Sequence, residues 1–473
     1  MNPSEYPLGE PIAAIATALA PAALGVIRVS GNDSVRLLSA CFSRGEALRD
    51  APGNTLVHGW ILGENGAADR IDEVMVAVYR SPKSFTGEEA AEITAHGGPA
   101  TVLAVFRRLL EAGFREAERG EFAFRAFANG KTDLLRAEAI REIIGAQTET
   151  ALSHAANRLA GDLSAEIRRV KESIVRARAA IGVEIEYPEE EDAESGAFDD
   201  SLVREALEAL ARLRDTWAAE RLLQDGARVV LAGRTNAGKS SFFNTLLKED
   251  RAIVSDLPGT TRDWLESTAD FSGIPVRLFD TAGMRETGDA IEAEGVNRSR
   301  LLASEADLIL YLVDSSEGLD AGDRAFLSDA ARDGAPAVLV WNKDDRADSK
   351  PLPSPLPTGA RAAVRTSAKR GTGVGELVQL AAGILLEGTG GGSSGKAGPA
   401  ARAPALGSER QKRDVAAACE SLEHAVSAAA AGFPMDAIEE DLSNALDHLA
   451  SITGEVSGAD VLDAVFSGFC VGK

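Results

Sequence analysis

The spacing of apolar residues changes along the chain and predicts more than one kind of domain. Up to about residue 129, short β-like runs at residues 23–29, 74–79 and 91–94 alternate with a helical pattern at residues 99–111. Strands mixed with helices in this way predict a compact α+β domain.

Residues 131–225 are almost wholly helical in pattern, because Ala, Leu, Arg and Glu recur at the 3.6-residue period of an α-helix. An acidic run at residues 186–192 interrupts the pattern and indicates a solvated loop, since Pro188 ends the helix before it. Residues 410–451 are helical in pattern again. The two helical blocks predict one helical domain into which another domain is inserted.

The region between these blocks alternates strand and helix patterns. Its apolar strands are predicted at residues 276–279, 308–313, 337–341 and 363–364. Strands that alternate with helices predict a mostly parallel sheet covered by helices. The overall fold class is therefore a multidomain α/β plus α protein.

A segment rich in Gly, Ser, Ala and Pro at residues 388–404 predicts a flexible linker. A chain of 473 residues with 45% hydrophobic content is long enough for about three domains. The predicted organisation is an N-terminal α+β domain at 1–129, a first helical block at 130–225, an α/β domain at 226–387, the linker at 388–404 and a second helical block at 405–473.

The chain is strongly acidic, with 50 Lys and Arg against 73 Asp and Glu and a formal net charge of −23. This charge opposes broad attraction to nucleic acid or to an anionic membrane. Any contact with RNA is therefore expected to be local or shared with a partner.

The three cysteines, Cys41, Cys419 and Cys470, are widely spaced and form no CxxC pair. They predict neither a disulfide framework nor a structural zinc site, and they fit a reducing cytoplasm. The apolar stretch at residues 12–27 is interrupted by Pro21 and preceded by acidic residues, which argues against a signal peptide. The sequence has no run of about eighteen consecutive apolar residues, so no membrane-spanning helix is expected.

Residues 233–240, with the sequence GRTNAGKS, indicate a phosphate-binding loop. They follow an apolar strand at residues 228–232 and precede a helical pattern at residues 241–247. Glycines let successive backbone N–H groups turn toward phosphates, Lys239 can reach the outer phosphates, and the Ser240 hydroxyl suits Mg²⁺. The start of the helix adds a positive dipole end at the same place.

The base is identified by residues 342–345, with the sequence NKDD, directly after an apolar strand. In an N-K-x-D motif the Asp345 carboxylate accepts hydrogen bonds from the ring N–H and the exocyclic amine of guanine, a pair that adenine does not offer. Residues 367–369, with the sequence SAK, follow the next strand and are expected to close on the base. The sequence therefore favours GTP over ATP.

Residues 280–283, with the sequence DTAG, end another predicted strand, where Asp280 can hold Mg²⁺ through water and Gly283 can contact the γ-phosphate. Thr261 in the loop before it is expected to complete the Mg²⁺ shell. Met284 follows Gly283 and cannot orient a water molecule as a glutamine does. Assistance must then come from another group, and the candidates are Glu286, Asp289, Glu292 and Glu294.

These motifs resemble those of the MnmE (TrmE) family of tRNA modification GTPases. The resemblance rests on GTTRD at 259–263, DTAGMRE at 280–286 and FCVGK at 469–473. It extends through KSFTGE at 83–88 and RGEF at 119–122, and it covers essentially the whole chain. One departure is the loop at residues 17–25, which lacks glycines that the family usually carries there.

The resemblance implies a folate-binding, dimerising N-terminal α+β domain, a discontinuous helical domain and an inserted Ras-like P-loop GTPase domain. It implies a homodimer that works on tRNA with an FAD-dependent partner, MnmG (GidA), in a heterotetramer or larger complex. Together they would add a carboxymethylaminomethyl group to the wobble uridine. The implied cofactors are GTP, Mg²⁺, K⁺ and a tetrahydrofolate derivative, either 5-formyl- or methylene-tetrahydrofolate.

Motifs and resemblance together predict the site residues. The GTP-binding residues are Asn236, Ala237, Gly238, Lys239, Ser240, Ser241, Ser255, Asp256, Leu257, Pro258, Gly259, Thr260, Thr261, Asp280, Thr281, Ala282, Gly283, Asn342, Lys343, Asp345, Ser367, Ala368 and Lys369. Within this set the Mg²⁺ ligands are Ser240 and Thr261, and the resemblance gives Asn236, Ser255, Leu257 and Thr260 as K⁺ ligands. By the same resemblance Glu292 is catalytic, the folate residues are Arg28, Glu92, Lys131 and Lys473, and Cys470 lies close to the folate site, where it is a candidate for a role in the modification chemistry.

Two other functions are less consistent with the sequence. A ribosome-assembly or RNA-binding GTPase of the same class would carry a dedicated basic RNA-binding domain, and neither the N-terminal region nor the helical blocks supply one. A scaffold with a degenerate nucleotide site conflicts with the intact Lys239, Ser240, Asp280 and Asp345.

Overall fold

The structure is a computed structural model that describes residues 6–186, 199–248, 266–280, 306–332, 334–389 and 403–472. The chain forms two compact units. The first consists of Met1–Arg141 with Glu439–Lys473, and the second of Glu142–Ile438. The domain limits drawn from the sequence stay a prediction.

The first unit is built on a mixed six-stranded sheet in the order β3-β4-β5-β2-β1-β6. Neighbouring strands are antiparallel, except that β6 runs parallel to β1. The strands are β1 (Ile12–Ile15), β2 (Leu24–Ser30), β3 (Thr55–Leu62), β4 (Arg70–Tyr79), β5 (Ala90–His96) and β6 (Arg115–Glu116). The helices are α1 (Ser34–Ala40), α2 (Gly45–Asp50), α3 (Pro99–Glu111) and α4 (Glu121–Ala128), with a short 3₁₀ turn at Gly66–Ala68.

Alternation along the strands places the core on one face of this sheet. In β4, Val74, Val76 and Val78 are buried, and they pack in the same cluster as Val105 and Leu109 of α3. Successive side chains of a strand point to opposite faces, so a two-residue repeat of buried positions indicates one covered face. The predicted α+β domain is confirmed, although the sequence pattern did not predict β3.

The C-terminal end of the chain belongs to this first unit. Helix α5 (Leu134–Gly145) begins there, and helices α13 (Met435–Thr453) and α14 (Ala459–Phe466) lead to the C-terminal tail. Phe466 and Phe469 are buried in one cluster with Tyr6 and Phe124, and the rings of Phe124 and Phe466 meet edge to face with centroids 5.5 Å apart. This aromatic cluster fixes the tail against the N-terminal domain.

The second unit contains long helices followed by a six-stranded sheet in the order β12-β11-β10-β7-β9-β8. The helices before the sheet are α6 (Glu149–Ala160), α7 (Asp162–Glu186) and α8 (Ser201–Asp225). The strands are β7 (Ala227–Gly233), β8 (Glu266–Phe271), β9 (Ile274–Asp280), β10 (Leu308–Asp314), β11 (Ala337–Asn342) and β12 (Ala360–Arg365). Helices α9 (Lys239–Lys248), α10 (Ala321–Arg332) and α11 (Val374–Glu387) cover the sheet, and α12 (Glu409–Ala430) follows it.

This sheet is parallel except for β8, which pairs antiparallel with β9. Every residue of β10 is buried, as expected for a strand covered on both faces. Leu310 packs on one face with residues of α9 and α11, and Tyr311 packs on the other with Leu327 of α10. The prediction of a mostly parallel, helix-covered sheet is confirmed. The predicted helical run at 410–451 is interrupted between α12 and α13, where Pro434 lies.

Candidate functional site

The phosphate-binding loop begins where β7 ends and stops where α9 begins, and two of its glycines are required by geometry. Gly233 has a φ of 135°, and a Cβ there would lie 2.2 Å from the carbonyl oxygen of Leu312. Gly238 has a φ of 94°, and a Cβ there would lie 2.5 Å from the Nδ2 of Asn342. Any larger residue would be strained and would clash, so the loop keeps its backbone N–H groups free of side chains.

Lys239 is buried and places its ammonium group over this loop. Its Nζ donates to the carbonyl oxygens of Gly233 and Arg234, at 2.8 Å each. The positive charge is therefore held at the concave side of the loop, where the outer phosphates of a nucleotide would lie.

Ser240 and Asp280 bring the start of α9 to the end of β9. The Ser240 hydroxyl donates to Oδ2 of Asp280 over 3.0 Å. Hydroxyl and carboxylate oxygens are ligands that Mg²⁺ accepts together with phosphates and water, so these two residues fit the ion. Within the described ranges, no group of three or more His, Cys, Asp or Glu residues could hold a metal ion.

Asn342, at the end of β11, joins the phosphate-binding loop to the loop after β12 that contains residues 367–369. Its Nδ2 donates to the Ala237 carbonyl over 2.9 Å, and its Oδ1 accepts from the Ala368 backbone N–H over 3.1 Å. Thr245 of α9 donates to the Ala368 carbonyl over 3.0 Å. The carboxyl ends of β7 and β11 therefore present their motifs at one edge of the sheet.

Asp345 is oriented by the next loop. Its Oδ1 accepts a hydrogen bond from the Ser367 hydroxyl over 2.6 Å, and this bond lowers the pKa of the Asp345 carboxyl. Arg370 lies 3.9 Å from the other carboxylate oxygen. An ionised, acceptor-only carboxylate is what recognition of the guanine N–H groups requires.

Arg28 and Glu92 face each other across neighbouring strands of the first unit. Their side chains form an ion pair with 3.1 Å between Nε and Oε1, and their residues are register partners in β2 and β5. The Arg28 guanidinium also lies 5.1 Å from the ring centre of Phe85 and 5.2 Å from that of Phe122. Arg28 is thus held by a carboxylate and by two aromatic faces.

A cavity of about 170 Å³ opens beside this ion pair. It is lined by Arg28, Val29, Tyr79, Phe85, Thr86, Ala90, Ala91, Glu92 and Phe122. Aromatic walls with one carboxylate and one guanidinium form a site for a flat, polar-edged ring system.

The C-terminal tail reaches the same cavity. Arg28 donates through Nη1 to the carbonyl oxygen of Gly472 over 3.1 Å, and Val471 forms a β-bridge with Arg119. Cys470 is exposed on this tail. Lys131 donates to the Pro82 carbonyl over 3.0 Å, which places it beside the turn that carries Phe85.

Comparison with known proteins identifies the family of this chain. The family description "GTP-binding protein TrmE N-terminus" matches residues 11–131, and "MnmE helical domain" matches residues 134–470. The chain belongs to the MnmE family of tRNA modification GTPases.

Curated MnmE relatives match this chain along its length. The tRNA modification GTPase MnmE of Treponema denticola is 50% identical over 482 residues, covering 100% of both chains. That of Treponema pallidum (strain Nichols) is 43% identical over 514 residues, again over 100% of both. That of Salinibacter ruber is 39% identical over 466 residues, covering 98% of this chain and 99% of its own.

Several residues predicted for the MnmE sites lie outside the described residues and stay predictions. They are Ser255, Asp256, Leu257, Pro258, Gly259, Thr260, Thr261, Thr281, Ala282, Gly283, Glu292 and Lys473. Of the others, Asn236 and Ser241 are exposed on the loop and on the first turn of α9, and Lys369 follows Ala368.

Sequence patterns missed the cavity walls Tyr79, Phe85 and Phe122, which come from three separated segments. They also missed Asp314, the last residue of β10, whose carboxylate contacts Lys343. A signal for Asp314 did exist, since an acidic residue at the carboxyl end of a buried parallel strand lies at the edge where ligands bind.

None of the helices in the described part of this MnmE chain is long and apolar enough to cross a membrane.

Proposed function

We propose that this chain is a K⁺-dependent GTP hydrolase that takes part in tRNA modification. With an FAD-dependent partner of the MnmG type, it adds a carboxymethylaminomethyl group to the wobble uridine of certain tRNAs, using a one-carbon unit from a tetrahydrofolate derivative. It works as a homodimer in the cytoplasm. Family membership supports the tRNA reaction and the partner, and the two described sites support the ligands.

The observation that carries the GTPase proposal is the meeting of four motifs at one edge of the second sheet. Asn342 bonds both the phosphate loop and Ala368, while Ser240 bonds Asp280. Ser240 and Thr261 would hold Mg²⁺, which offsets negative charge on the phosphates. The chain's own contribution is to position the nucleotide between Lys239 and Asp345.

Exposure and backbone shape at Asn236 support the proposed use of K⁺. Asn236 is exposed and has a φ of 67°, so its side-chain carbonyl is accessible to a cation beside the phosphates. A cation at this place would offset the charge that develops during phosphoryl transfer.

The cavity beside Arg28 supports the folate proposal. The Glu92 carboxylate can accept the paired N–H groups of a pterin edge, and Phe85, Phe122 and Tyr79 supply flat walls. Lys131, beside the turn of Phe85, is available for a ligand carboxylate.

The open face of the first sheet supports the homodimer. Leu56 and Met75 are exposed on the neighbouring strands β3 and β4, and Leu24 is exposed on β2, beyond β5 in the same sheet. Apolar residues that share a face in this way are typical of an interface between protein chains.

The test of the tRNA function is nucleoside mass spectrometry of wobble uridines in a deletion strain. We expect the modification to disappear, to return with the wild-type gene and not to return with Glu292→Ala. The matched control is Glu294→Ala, which removes a neighbouring carboxylate and is expected to restore the modification. Normal wobble uridines in the deletion strain would refute the proposed function.

Replacing K⁺ by Na⁺ at equal ionic strength is expected to slow GTP hydrolysis by about tenfold or more, because the smaller ion does not match a carbonyl-lined K⁺ site. Asn236→Ala is expected to remove the difference between the two salts while GTP binding persists. Steady-state phosphate release in both salts measures this. Equal rates for the wild type in K⁺ and Na⁺ would exclude Asn236 from this role.

Arg28→Ala is expected to weaken binding of 5-formyl-tetrahydrofolate by about tenfold to a hundredfold, since charged hydrogen bonds contribute about 1.5–3 kcal/mol. Isothermal titration calorimetry measures the affinity. The control is Arg36→Ala on α1, an exposed arginine paired with Asp33. Unchanged affinity in Arg28→Ala, or an equal loss in Arg36→Ala, would contradict the assignment of the cavity.

A further inference from the structure

Asp314 lies beside the NKDD motif at residues 342–345 and near the phosphate-binding loop at residues 233–240, without belonging to either. It ends β10 and is only 4% exposed. One carboxylate oxygen, Oδ1, accepts from the backbone N–H of Ser316 over 2.9 Å and from its hydroxyl over 2.7 Å. The other oxygen, Oδ2, accepts from Lys343 Nζ over 2.8 Å. The carboxylate is therefore fixed on one side and directed at Lys343 on the other.

Lys343 uses the same ammonium group to reach the phosphate loop. Its Nζ also donates to the Asn236 carbonyl oxygen over 2.7 Å. An ammonium group is a compact charge on a flexible stem with three donors, so an oriented acceptor is needed to hold it in one place. Asp314 supplies that acceptor for one N–H of the Lys343 ammonium group. A second N–H of the same ammonium group donates to the Asn236 carbonyl oxygen.

The two loops that Lys343 joins both contain unusual backbone. Lys343 has a φ of 62° and Asn236 a φ of 67°, the left-handed region that residues with a Cβ rarely adopt. Such conformations persist only where surrounding contacts fix them, and they concentrate at functional sites. The bonds from Asp314 to Lys343 and on to Asn236 connect these two positions directly.

The electrostatics agree with this arrangement. Burial alone would raise the pKa of the Asp314 carboxyl, but hydrogen bonds from Lys343 and Ser316 lower it to about 2. The carboxylate is thus ionised whenever the protein is folded near neutral pH. Arg346 lies 3.9 Å from the same oxygen as a second, more distant cation.

We propose that Asp314 is a positioning residue for nucleotide binding: it orients Lys343, and Lys343 fixes the Asn236 carbonyl and the turn of the phosphate loop. The proposal rests on the proposed function, because it assumes that a guanine nucleotide binds at this loop. Asp314 acts through Lys343 and does not contact the base. The proposed base-recognising residue is Asp345, which is oriented by a separate hydrogen bond from Ser367. Loss of Asp314 should therefore release the nucleotide faster and leave the preference for guanine unchanged.

The experiment measures the dissociation rate of a fluorescent GDP analogue from the full chain by stopped flow. We expect Asp314→Asn, which keeps the shape and removes the charge, to accelerate dissociation about tenfold. The control is Asp329→Asn on α10, which removes an exposed carboxylate paired with Arg332 and should leave the rate unchanged. An Asp314→Asn rate equal to that of the wild type would refute the proposal.

A double-mutant cycle separates positioning from a general loss of stability. If Asp314 acts through Lys343, Lys343→Met and the double variant with Asp314→Asn should release GDP at rates within about twofold of each other. Independent, multiplying effects would overturn the proposal.

Should Asp314→Asn fail to fold, Ser316→Ala is the second variant, since it removes one hydrogen bond to the Asp314 carboxylate. The loss of one such bond should accelerate GDP release about two- to threefold. No acceleration there would also count against the proposal.

The K⁺ dependence supplies a further readout. Because Lys343 holds the backbone of Asn236, Asp314→Asn should raise the K⁺ concentration needed for half-maximal hydrolysis, whereas Asp329→Asn should not. A purely structural role would lower the unfolding temperature without moving this value. A wild-type chain that binds no GDP would refute the proposed function itself, whereas wild-type binding with an unaltered Asp314→Asn would refute only the role of Asp314.

Discussion

Asp345→Asn is expected to lower the affinity for GTP by about a thousandfold or more and to create binding of xanthosine triphosphate. A site built to hydrogen-bond a substrate loses several orders of magnitude when the pairing groups no longer match. The asparagine would present an N–H₂ donor to the N–H groups of guanine, whereas xanthine carries a carbonyl oxygen where guanine has its exocyclic amine. Isothermal titration calorimetry of the wild type and the variant with each triphosphate measures both effects.

The adjacent carboxylate provides a matched control for this substitution. Asp344 bonds the Ser349 hydroxyl over 2.8 Å and lies 3.6 Å from Arg365, away from the bond between Ser367 and Asp345. Asp344→Asn should therefore keep GTP affinity within about threefold of the wild type, as expected for a surface polar contact. A similar loss in both variants, or no loss in Asp345→Asn, would contradict the assignment of the base-reading residue.

The meeting of the described nucleotide motifs at one sheet edge could be predicted from the sequence, because these motifs lie at strand ends. Asp280 and Asn342 each close an apolar strand, and parallel strands bring their carboxyl ends to one edge. Local sequence order therefore carries spatial information in this sheet. Strand β8 was not predicted, because its short run is mostly polar; among residues 267–271, whose burial is described, Ala269 and Phe271 are buried.

The N-terminal cavity was less accessible to sequence reasoning. Arg28 and Glu92 were assigned through family resemblance, whereas their pairing depends on the register between β2 and β5. Phe122 and the carbonyl of Gly472 come to Arg28 from distant parts of the chain. Contacts set by tertiary packing leave no periodic signal, so aromatic side chains there look like ordinary core residues.

Arg125→Met is expected to destabilise the protein by about 3–5 kcal/mol, the usual cost of removing one partner of a buried ion pair. Arg125 is fully buried, and its guanidinium contacts Glu88 at 2.9 Å and Glu121 at 2.8 Å. It also donates to the carbonyl oxygens of Glu10 and Pro7. Methionine fills much of the volume and leaves two buried carboxylates without their shared cation. Chemical denaturation followed by tryptophan fluorescence and circular dichroism measures the loss.

The pH dependence distinguishes uncompensated charge from lost packing. In the wild type, burial raises the pKa of Glu121, but hydrogen bonds from Arg115 and the backbone N–H of Glu118, with further help from Arg125, bring it below its ordinary value. That carboxylate therefore stabilises the fold above its unfolded pKa and ceases to do so as the pH falls through the folded pKa. In Arg125→Met, Glu121 loses the share of this lowering that Arg125 supplies, so the stability deficit should shrink as the pH falls below the unfolded pKa of the carboxyl.

Two further variants test whether the loss of stability in Arg125→Met comes from the unpaired carboxylate. Adding Glu88→Gln to Arg125→Met should recover part of the lost stability, because a neutral amide is less costly to bury than an unpaired carboxylate. The exposed control Arg36→Met should change stability by less than about 0.5 kcal/mol.

The folate cavity also depends on the turn that Arg125 holds. Glu88 ends the turn that places Phe85 and Thr86 at the cavity, and the Ser30 hydroxyl is hydrogen-bonded to both Thr86 and Glu88. Folate affinity should therefore fall in Arg125→Met even where the protein is folded, and an unchanged affinity would show that the turn holds its shape without Arg125.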